Sequence, residues 1–420
     1  MAGLFEHGSR VMADSPRKIV LAYSGGLDTS VILPWLKHRY PGVKLVAFAA
    51  ELGQGDELSG IEEKAYASGA DEVIVKDLRQ EFAEQYCFAM LRAHAVYEHE
   101  YLLGTSIARP LIAKHQVLAA KQTKADAVGH GATGKGNDQV RFELTYMALN
   151  PKLQIISPWK DPQFIADGLT DRETAIDYAK QHNIPIASTK KKIYSRDRNL
   201  WHISHEGAEI EHPDQEPDWA NCLTISVPVE KAPAKPHYLQ VTFEKGNPVA
   251  LDGRKLKGHE LIAQLNEIGG RHAVGQTVLV ENRLVGMKSR GVYEAPGGTI
   301  LYEAHKALQQ LCMERELMHA SQQLAMRYAE LVYYGQWFHP LRQAMQAFFD
   351  YANQTLTGTV KLKLYKGRAL AVQADSETSL YDTDLASFAM SGFDITAARG
   401  FIDLFGLPMK VRGLKHKPSF

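Results

Sequence analysis

At 420 residues the chain is too long for one ordinary core, and with 45% hydrophobic and 23% charged residues it has the composition of a soluble globular protein. Its 48 basic side chains equal its 48 acidic ones, which argues against bulk electrostatic attraction to nucleic acid or to an anionic membrane. Scattered Cys87, Cys222 and Cys312 argue against a disulfide framework or a structural zinc site, and no apolar run approaches the roughly 20 residues that span a bilayer.

Strand and helix patterns alternate along the first half of the chain. The predicted strands are Ile19–Tyr23, Val43–Ala49, Glu72–Lys76, Ala127–His130 and Gln154–Ser157. The predicted helices are Leu27–Tyr40, Glu57–Ser68, Glu81–Tyr101, Ile107–Gln122 and Thr170–His182, and Pro34 predicts a late start or a kink in the first. This alternation predicts an α/β fold with a doubly wound parallel sheet, whose ligands lie at the carboxyl ends of the strands.

The pattern changes near Pro185, and a proline-rich stretch follows at His212–Pro236. Beyond it the predicted strands are Tyr238–Glu244, Pro248–Leu251, Thr277–Asn282, Val360–Tyr365 and Ala369–Ala374. The predicted helices are Gly258–Ile268, Glu303–Met318 and Gln322–Tyr333. We therefore expect a flexible extension (1–16), a nucleotide-binding domain (17–183), an α+β domain (184–385) and a C-terminal tail (386–420), in a protein of the reducing cytoplasm.

The most informative tract is Ser24-Gly25-Gly26-Leu27-Asp28-Thr29-Ser30, which follows a predicted strand and opens a helix. A glycine turn at a helix start points backbone N–H groups at an anion, and glycines let phosphate oxygens approach the main chain. Asp28 is out of place beside a triphosphate unless a cation neutralises it, so Mg²⁺ is implied. The tract matches neither GxxxxGK[ST] nor GxGxxG, and the alternative is a plain strand–turn–helix corner.

A second glycine-rich loop, His130–Glu143, lies at the same predicted sheet edge. Lys135 offers a phosphate contact, while Asn137, Asp138 and Arg141 combine donors and acceptors suited to an amino-acid substrate. The alternative is a surface loop followed by a well-capped helix.

Three further tracts carry polar groups with strong structural alternatives. They are Tyr101–Pro110, Lys190–Glu206 and Val280–Glu294. A capped helix start at Thr105-Ser106 is a strong alternative for the first. In the second, His202 and His205 have a spacing that suits a metal, but surface histidines are the simpler interpretation. The third predicts a strand ending in Glu281 and then a glycine-punctuated basic loop, with an ordinary solvated turn as the alternative.

Together these tracts resemble the argininosuccinate synthase family, from about Arg17 to about Gly406. The matching segments are AYSGGLDTS, YLLGTSIARP, HGATGKGNDQVRFE, LWHIS and VENRLVGMKSRGVYEAPGGTIL. The resemblance implies an adenine nucleotide α-hydrolase-like domain, a synthetase domain and a C-terminal oligomerisation segment. It implies a cytoplasmic homotetramer that condenses citrulline with aspartate, splitting ATP into AMP and pyrophosphate, in arginine biosynthesis or the urea cycle.

The resemblance also implies site residues, with Asp28 and Arg141 as the catalytic pair. ATP is expected on Ala22, Tyr23, Ser24, Gly25, Gly26, Leu27, Asp28, Thr29, Ser30, Ala50 and Gly131. Citrulline is expected on Tyr101, Ser106, Asn137, Arg141, Ser195, Ser204, Glu281 and Tyr293. Aspartate is expected on Thr133, Asn137 and Asp138, and no side-chain metal site is expected.

Two other functions remain alternatives. Another ATP pyrophosphatase, for instance a tRNA-modifying enzyme, would favour a basic surface and catalytic cysteines, which the neutral charge and scattered cysteines do not support. A non-catalytic nucleotide-binding protein would carry degenerate loops, whereas both glycine loops here are intact.

Overall fold

The computed structural model describes residues 15–134, 136–182, 184, 194–387 and 394–416. The chain divides into two compact units, Met1–Thr378 and Ser379–Phe420. Most of the predicted extension and Lys135 lie outside the described residues.

A five-stranded parallel sheet organises the N-terminal part of the larger unit. Its strands are β1 (Lys18–Ala22), β2 (Lys44–Glu51), β3 (Glu72–Asp77), β4 (Ala127–Gly129) and β5 (Gln154–Ile156). They lie in the order β3-β2-β1-β4-β5, with Ile19 paired to Leu45 on one side and to Ala127 on the other. The predicted parallel sheet is confirmed, and its order brings the carboxyl ends of β1 and β4 side by side.

Alternation along the central strand explains why helices cover both faces of this sheet. Val20 packs into the core cluster that contains Phe48 and Val128, while Ile19 and Leu21 pack into the cluster that contains Trp35. These three central residues of β1 are fully buried, as expected for a doubly wound sheet. The fold class predicted from the sequence is therefore correct.

The helices of this part follow the strands in sequence. They are α1 (Leu27–Arg39), α2 (Ile61–Ala67), α3 (Arg79–Glu81), α4 (Phe88–Arg92), α5 (Gly104–Thr123), α6 (Asp138–Leu149), α7 (Pro162–Ala166) and α8 (Arg172–Gln181). A π-helical segment, Phe82–Cys87, joins α3 to α4, and 3₁₀ turns lie at Gly55–Leu58 and Pro158–Lys160. Of the two outcomes expected from Pro34, the late start of α1 is wrong, because the helix begins at Leu27 with Pro34 inside it, and the kink stays a prediction.

The predicted helix Glu81–Tyr101 is also wrong in its second half. It ends at Arg92, and four non-glycine residues, His94, Glu98, His99 and Leu103, then adopt φ between 47° and 67°. Tyr97 and Tyr101 form an isolated antiparallel bridge within this loop. The aromatic spacing that resembled a helix instead serves tertiary contacts, because the two tyrosines pack against residues far along the chain.

Two antiparallel sheets make up the rest of the larger unit. One contains β8 (His237–Glu244), β9 (Asn247–Leu251), β10 (Arg254–Lys255), β13 (Gly358–Tyr365) and β14 (Arg368–Asp375), in the order β10-β9-β8-β13-β14. The other contains β6 (Ser195–Arg198), β7 (Ile203–Glu206), β11 (Gln276–Asn282) and β12 (Lys288–Glu294), in the order β11-β12-β7-β6. The basic loop expected after Glu281 is shorter than predicted, because β12 pairs back along β11.

Helices and short turns complete this unit. They are α9 (Trp219–Cys222), α10 (Gly258–Arg271), α11 (Pro296–Cys312), α12 (Arg315–Tyr333) and α13 (Pro340–Ala352), with 3₁₀ turns at Ala208–Glu211 and Val229–Lys231. The predicted helix Glu303–Met318 is confirmed as far as Cys312 and wrong beyond it, because Met313 is extended and Glu314 caps a new helix by accepting from the Glu316 and Leu317 N–H groups.

The smaller unit contains α14 (Thr383–Ala386), α15 (Ala397–Phe405) and α16 (Leu407–Lys415). Phe401, Ile402, Leu404 and Phe405 of α15 are all exposed in the single chain. Across the ranges described, no helix is long and apolar enough to cross a bilayer.

Candidate active site

The first glycine loop joins β1 to α1 and is held by its own hydroxyl groups. Gly25 has φ +72°, and Ser24 Oγ accepts from the Gly26 N–H at 3.3 Å. Thr29 Oγ1 lies 3.2 Å from Ser24 Oγ and donates to the Gly26 carbonyl at 3.3 Å. These contacts stabilise a turn that the left-handed glycine makes possible, with the N–H groups of α1 at its open end.

Predicted nucleotide contacts from neighbouring strands lie at the same edge of the sheet. Tyr23 follows β1, and its N–H donates to the Phe48 carbonyl of β2 at 2.8 Å, two residues before Ala50. Gly131, just beyond β4, lies beside the first turn of α1. The same strand, turn and helix also contain Ala22, Leu27 and Ser30. Ser30 is buried, whereas Asp28, in the first turn of the helix, is exposed.

The second glycine loop leads into α6, whose first turns carry Asn137, Asp138 and Arg141. Arg141 Nη1 donates to Asp138 Oδ1 at 2.9 Å, and Asn137 Oδ1 accepts from the Leu284 N–H at 2.9 Å. Thr133 is exposed in the loop itself, and its carbonyl accepts from the Gly136 N–H. The loop therefore presents backbone and hydroxyl groups in front of an anchored set of amide, carboxylate and guanidinium groups.

Arg109 of α5 bridges two carboxylates that come from separate parts of the chain. Its Nε donates to Asp138 Oδ2 at 2.9 Å, and its Nη2 donates to Asp197 of β6. Burial lowers the pKa of Arg109, but the two carboxylates outweigh it and raise the pKa above its ordinary value. Burial likewise opposes ionisation of Asp138, yet Arg109 and Arg141 lower its pKa, so this carboxylate is charged at neutral pH.

An aromatic cluster lies on the β7–β12 side of this group. The rings of Tyr101 and Tyr293 are 5.0 Å apart, and His202 lies within 6.0 Å of both. The Tyr101 hydroxyl accepts from the Thr105 N–H at 3.2 Å, and burial raises the pKa of Tyr101 to about 12. Its hydroxyl therefore stays protonated at neutral pH.

Ser106 and Glu281 are two of the residues predicted to bind citrulline. Both side chains are buried, and each has a polar atom without a hydrogen-bond partner in the described part of the chain. These atoms are Ser106 Oγ and Glu281 Oε2. Burial raises the pKa of Glu281, against the opposing effects of the Arg141 guanidinium and the Tyr333 hydroxyl. A buried polar atom without a partner is costly, so a ligand that hydrogen-bonds to these two atoms would offset that cost.

The remaining predicted residues differ in how closely they join this group. Ser204 lies on β7, opposite both Tyr293 and Asp197, and is buried. Ser195 is exposed at the first position of β6, and no described hydrogen bond links its side chain to the cluster. The structure therefore brings Ser204 into the cluster and leaves Ser195 at its margin.

His202 and His205 are core histidines, so their interpretation as surface residues is wrong. Thr105 Oγ1 donates its one proton to Asp197 at 3.1 Å, so His202 Nε2, at 2.9 Å, is the donor to that hydroxyl oxygen. Burial lowers the pKa of His202 to about 4. His205 Nε2 lies 2.8 Å from Glu294 Oε1, and both side chains are fully buried. Within the described ranges, no group of three or more His, Cys, Asp or Glu is placed to hold a metal.

Several residues at the site were not assigned a role from the sequence. They are Tyr97, Thr105, Arg109, Asp197, His202 and Tyr333. Most lie inside tracts that the sequence singled out, where dense polar groups beside glycine were the available signal. Tyr333 lies far from every such tract, at the end of an ordinary amphipathic helix, and only the folded chain reveals it.

Comparison with known proteins decides the family. A family model described as the arginosuccinate synthase N-terminal HUP domain matches residues 18–185, and one described as the arginosuccinate synthase C-terminal domain matches residues 194–412. The chain belongs to the argininosuccinate synthase family. This confirms the resemblance drawn from the motifs, and with it the prediction of an enzyme of the ligase class.

Named members of the argininosuccinate synthase family match along nearly the whole chain. An argininosuccinate synthase of Roseiflexus sp. (strain RS-1) is 53% identical over 404 residues, covering 96% of this chain and 98% of the relative. That of Carboxydothermus hydrogenoformans is 54% identical over 402 residues, covering 96% and 98%. A chloroplastic argininosuccinate synthase of Arabidopsis thaliana is 53% identical over 405 residues, covering 96% of this chain and 81% of the relative.

Proposed function

We propose that this protein condenses citrulline with aspartate while it splits ATP into AMP and pyrophosphate, and that it serves arginine biosynthesis. The observation that carries the proposal is the pair of buried, unpartnered polar atoms, Ser106 Oγ and Glu281 Oε2, at two positions that the family motifs assign to citrulline. Membership of the argininosuccinate synthase family supports the same activity.

ATP is assigned to the carboxyl ends of β1, β2 and β4. The pyrophosphate end rests on the Ser24–Ser30 loop, whose N–H groups and helix start favour an anion. Ala50 and Gly131 flank that loop at the same edge of the sheet, and Gly131 is close enough to α1 that a side chain there would clash.

Citrulline is assigned to the Tyr101–Tyr293 cluster and the groups around it. Its ammonium group pairs with the buried carboxylate of Glu281, whose cationic neighbours in the described part of the chain include Arg141 and Arg283. Its carboxylate and ureido oxygens take donors from Asn137, Arg141 and buried hydroxyls. Ser106 and Ser204 provide hydroxyls, and we retain Ser195 as an outer contact.

Aspartate is assigned to Thr133, Asn137 and Asp138. The ionised carboxylate of Asp138 suits the aspartate ammonium, while Thr133 and the N–H groups of the glycine loop suit its carboxylates. Asn137 lies between the two amino-acid sites.

Mg²⁺ fits this site as an ion that accompanies the nucleotide. Mg²⁺ keeps near-octahedral oxygen ligands and is bound through one or two carboxylates plus substrate phosphates. Asp28, exposed in the first turn of α1 next to Thr29 in sequence, offers such a carboxylate. When bound, the ion neutralises phosphate charge as pyrophosphate leaves.

The residues of this chain act mainly by positioning and by charge neutralisation. Arg141 orients the ureido oxygen, which attacks the α-phosphorus as the bond to the β-phosphate oxygen breaks, and the Ser24–Ser30 loop retains the leaving pyrophosphate. The amine of aspartate, deprotonated for attack, then forms the new C–N bond as AMP leaves. No side chain forms a covalent intermediate in this sequence.

The larger assembly is also part of the proposal. We assign residues 17–183 to the nucleotide domain, 184–385 to the synthetase domain and 386–420 to a tail that joins a homotetramer in the cytoplasm. The exposed apolar side chains of α15, among them Phe401 and Leu404, support a role in oligomerisation. Light scattering of the purified chain tests this, since a monomer at micromolar concentration would contradict it.

Isotope transfer tests the reaction. Purified protein should form AMP and pyrophosphate only when ATP, citrulline and aspartate are all present. Heavy oxygen placed in the ureido group of citrulline should appear in AMP. AMP formation without that transfer would exclude a route through a citrullyl-adenylate, in which the ureido oxygen of citrulline is first joined to the α-phosphorus.

A further inference from the structure

Tyr333 is the last residue of α12. Its hydroxyl, its backbone carbonyl and its ring contact Asn137 and Arg141, two of the residues proposed to bind the substrates. Its hydroxyl accepts a hydrogen bond from Asn137 Nδ2 at 2.9 Å, and its carbonyl accepts from Arg141 Nε at 3.2 Å. The guanidinium carbon of Arg141 lies 5.0 Å from the centre of its ring. All of these groups are buried.

Neighbouring residues fix the ring of Tyr333 in place. Tyr97 stacks on it with ring centres 3.7 Å apart and an interplanar angle of 5°, and the Tyr97 hydroxyl donates to the Asn282 carbonyl at 2.9 Å. The following turn is equally constrained, because a Cβ on Gly335 would come 2.8 Å from Arg141 Cα. Tyr333 is therefore held in a fixed position between α6 and the end of β11.

These contacts determine which N–H groups of Asn137 and Arg141 remain available to bind a ligand. The Asn137 amide is held at both ends, since its oxygen accepts from the Leu284 N–H and its nitrogen donates to Tyr333. This fixes the orientation of the amide and leaves one N–H of Nδ2 for another acceptor. Arg141 Nε donates to the Tyr333 carbonyl and Nη1 donates to Asp138. Among the described hydrogen bonds none involves Nη2, so this nitrogen is available to a ligand.

We propose that Tyr333 is a positioning residue, which aims the remaining N–H of Asn137 and the Nη2 edge of Arg141 at the carboxylate and ureido oxygens of the substrates. This inference rests on the proposed function. It assigns the hydroxyl a definite task, because no other described group anchors Asn137 Nδ2.

The test is Tyr333→Phe in the full-length protein. The variant keeps the ring stack and the backbone contact to Arg141 but removes one of the two anchors of the Asn137 amide, the one on its nitrogen. We expect the KM values for aspartate and citrulline to rise about tenfold, as for one lost hydrogen bond that orients a ligand, with the KM for ATP within twofold of wild type. A loss of folding alone would lower kcat without this selective change.

Tyr328→Phe is the matched control. Tyr328 lies on the same helix, is fully buried and donates its hydroxyl proton to Gln346 Oε1 at 2.6 Å, away from the site. It should lower stability to a similar extent as Tyr333→Phe and leave every KM unchanged. Equal KM effects in both variants, or none in Tyr333→Phe, would overturn the inference.

Failure of the proposed function would be distinguishable. If the wild-type protein forms no AMP from the three substrates, the function is wrong, and calorimetric titration of aspartate and citrulline then judges the positioning role. Weaker binding to Tyr333→Phe than to Tyr328→Phe supports that role, whereas equal or absent binding in all proteins overturns it.

Discussion

Gly131 lies directly against Thr29: a Cβ on Gly131 would come 2.8 Å from Thr29 Cγ2. Thr29 is the residue whose hydroxyl contacts Ser24 and the Gly26 carbonyl in the first glycine loop. The two glycine loops therefore touch through one methyl group. The conformation of the Ser24–Ser30 loop, the proposed nucleotide-binding loop, therefore depends on the absence of a side chain at position 131.

Gly131→Ala should consequently raise the KM for ATP about tenfold, since Thr29 must shift and overpacking of this size costs about 1–3 kcal/mol. Steady-state kinetics with ATP varied at saturating amino acids measures the effect. Gly136→Ala is the control, because a Cβ there meets nothing within 4 Å. Equal KM values in the two variants would contradict the contact between the loops.

Asp28→Asn should weaken the use of Mg²⁺-ATP more than the binding of citrulline. The substitution keeps the size of the side chain and removes the negative charge that suits a divalent cation. Titration of Mg²⁺ in the steady-state assay should show a higher requirement in the variant. Unchanged ATP and Mg²⁺ dependence would count against the assignment of Asp28 to the nucleotide loop.

Glu294→Gln should destabilise the fold by about 2–4 kcal/mol, because it removes a buried charge whose acceptor positions are all engaged. Its carboxylate accepts from His205, from the backbone and hydroxyl groups of Thr224 and Ser226, and from the Ile225 N–H. Unfolding in urea measures the loss. Glu267→Gln, exposed and 3.7 Å from Arg271, is expected to stay within about 0.5 kcal/mol.

His202 should make folding stability depend on pH between about 6.5 and 4. Burial lowers its pKa from 6.5 to about 4 in the folded chain, so within this window the unfolded chain binds a proton that the folded chain does not. Its contribution is therefore present above pH 6.5 and is lost as the pH falls, by at most about 3 kcal/mol.

His202→Gln isolates this effect, because glutamine does not titrate. The difference in unfolding free energy between wild type and variant should shrink as the pH falls from 7 to 4. His94 and His305 contribute with the same sign to both proteins, since burial lowers their pKa values to about 4 and about 3. Parallel stability curves over this range would show that His202 is not buried in its neutral form.

The outcome for the parallel sheet shows what local patterns determine. Apolar runs such as Ile19–Tyr23, punctuated by glycine, predicted the strands of that sheet because buried parallel strands are continuous in hydrophobicity. The motif at Ser24–Ser30 predicted a turn and a helix start that the structure confirms. Features that depend on short-range geometry were therefore accessible from the sequence.

The errors arise where distant residues decide the conformation. The segment after Arg92 has helical spacing of aromatic residues, but its backbone turns left-handed at His94, and Tyr97 stacks on Tyr333, which is far along the chain. His202 and His205 looked like surface residues because their partners, Thr105 and Glu294, are also remote in sequence. No local pattern contains such pairings.

Arg109→Lys should impair the aspartate site more than the nucleotide site. The planar guanidinium of Arg109 reaches Asp138 and Asp197 together, whereas one ammonium group cannot reproduce both directions. We expect the KM for aspartate to rise tenfold or more and the KM for ATP to change little, from steady-state kinetics with each substrate varied. Arg327→Lys, an exposed residue paired with Glu330, should match wild type.

A second substitution separates loss of the bridge from loss of charge balance. In Arg109→Lys, one half-buried carboxylate keeps its negative charge without its partner, and Asp197→Asn removes that charge. If Arg109 acts by neutralising both carboxylates, the double variant Arg109→Lys with Asp197→Asn should have a lower KM for aspartate than Arg109→Lys alone. The coupling free energy between positions 109 and 197 should be about 0.5–3 kcal/mol. Strictly additive effects would instead assign Arg109 a packing role, since neutral asparagine would then leave the defect of the lysine variant unrelieved.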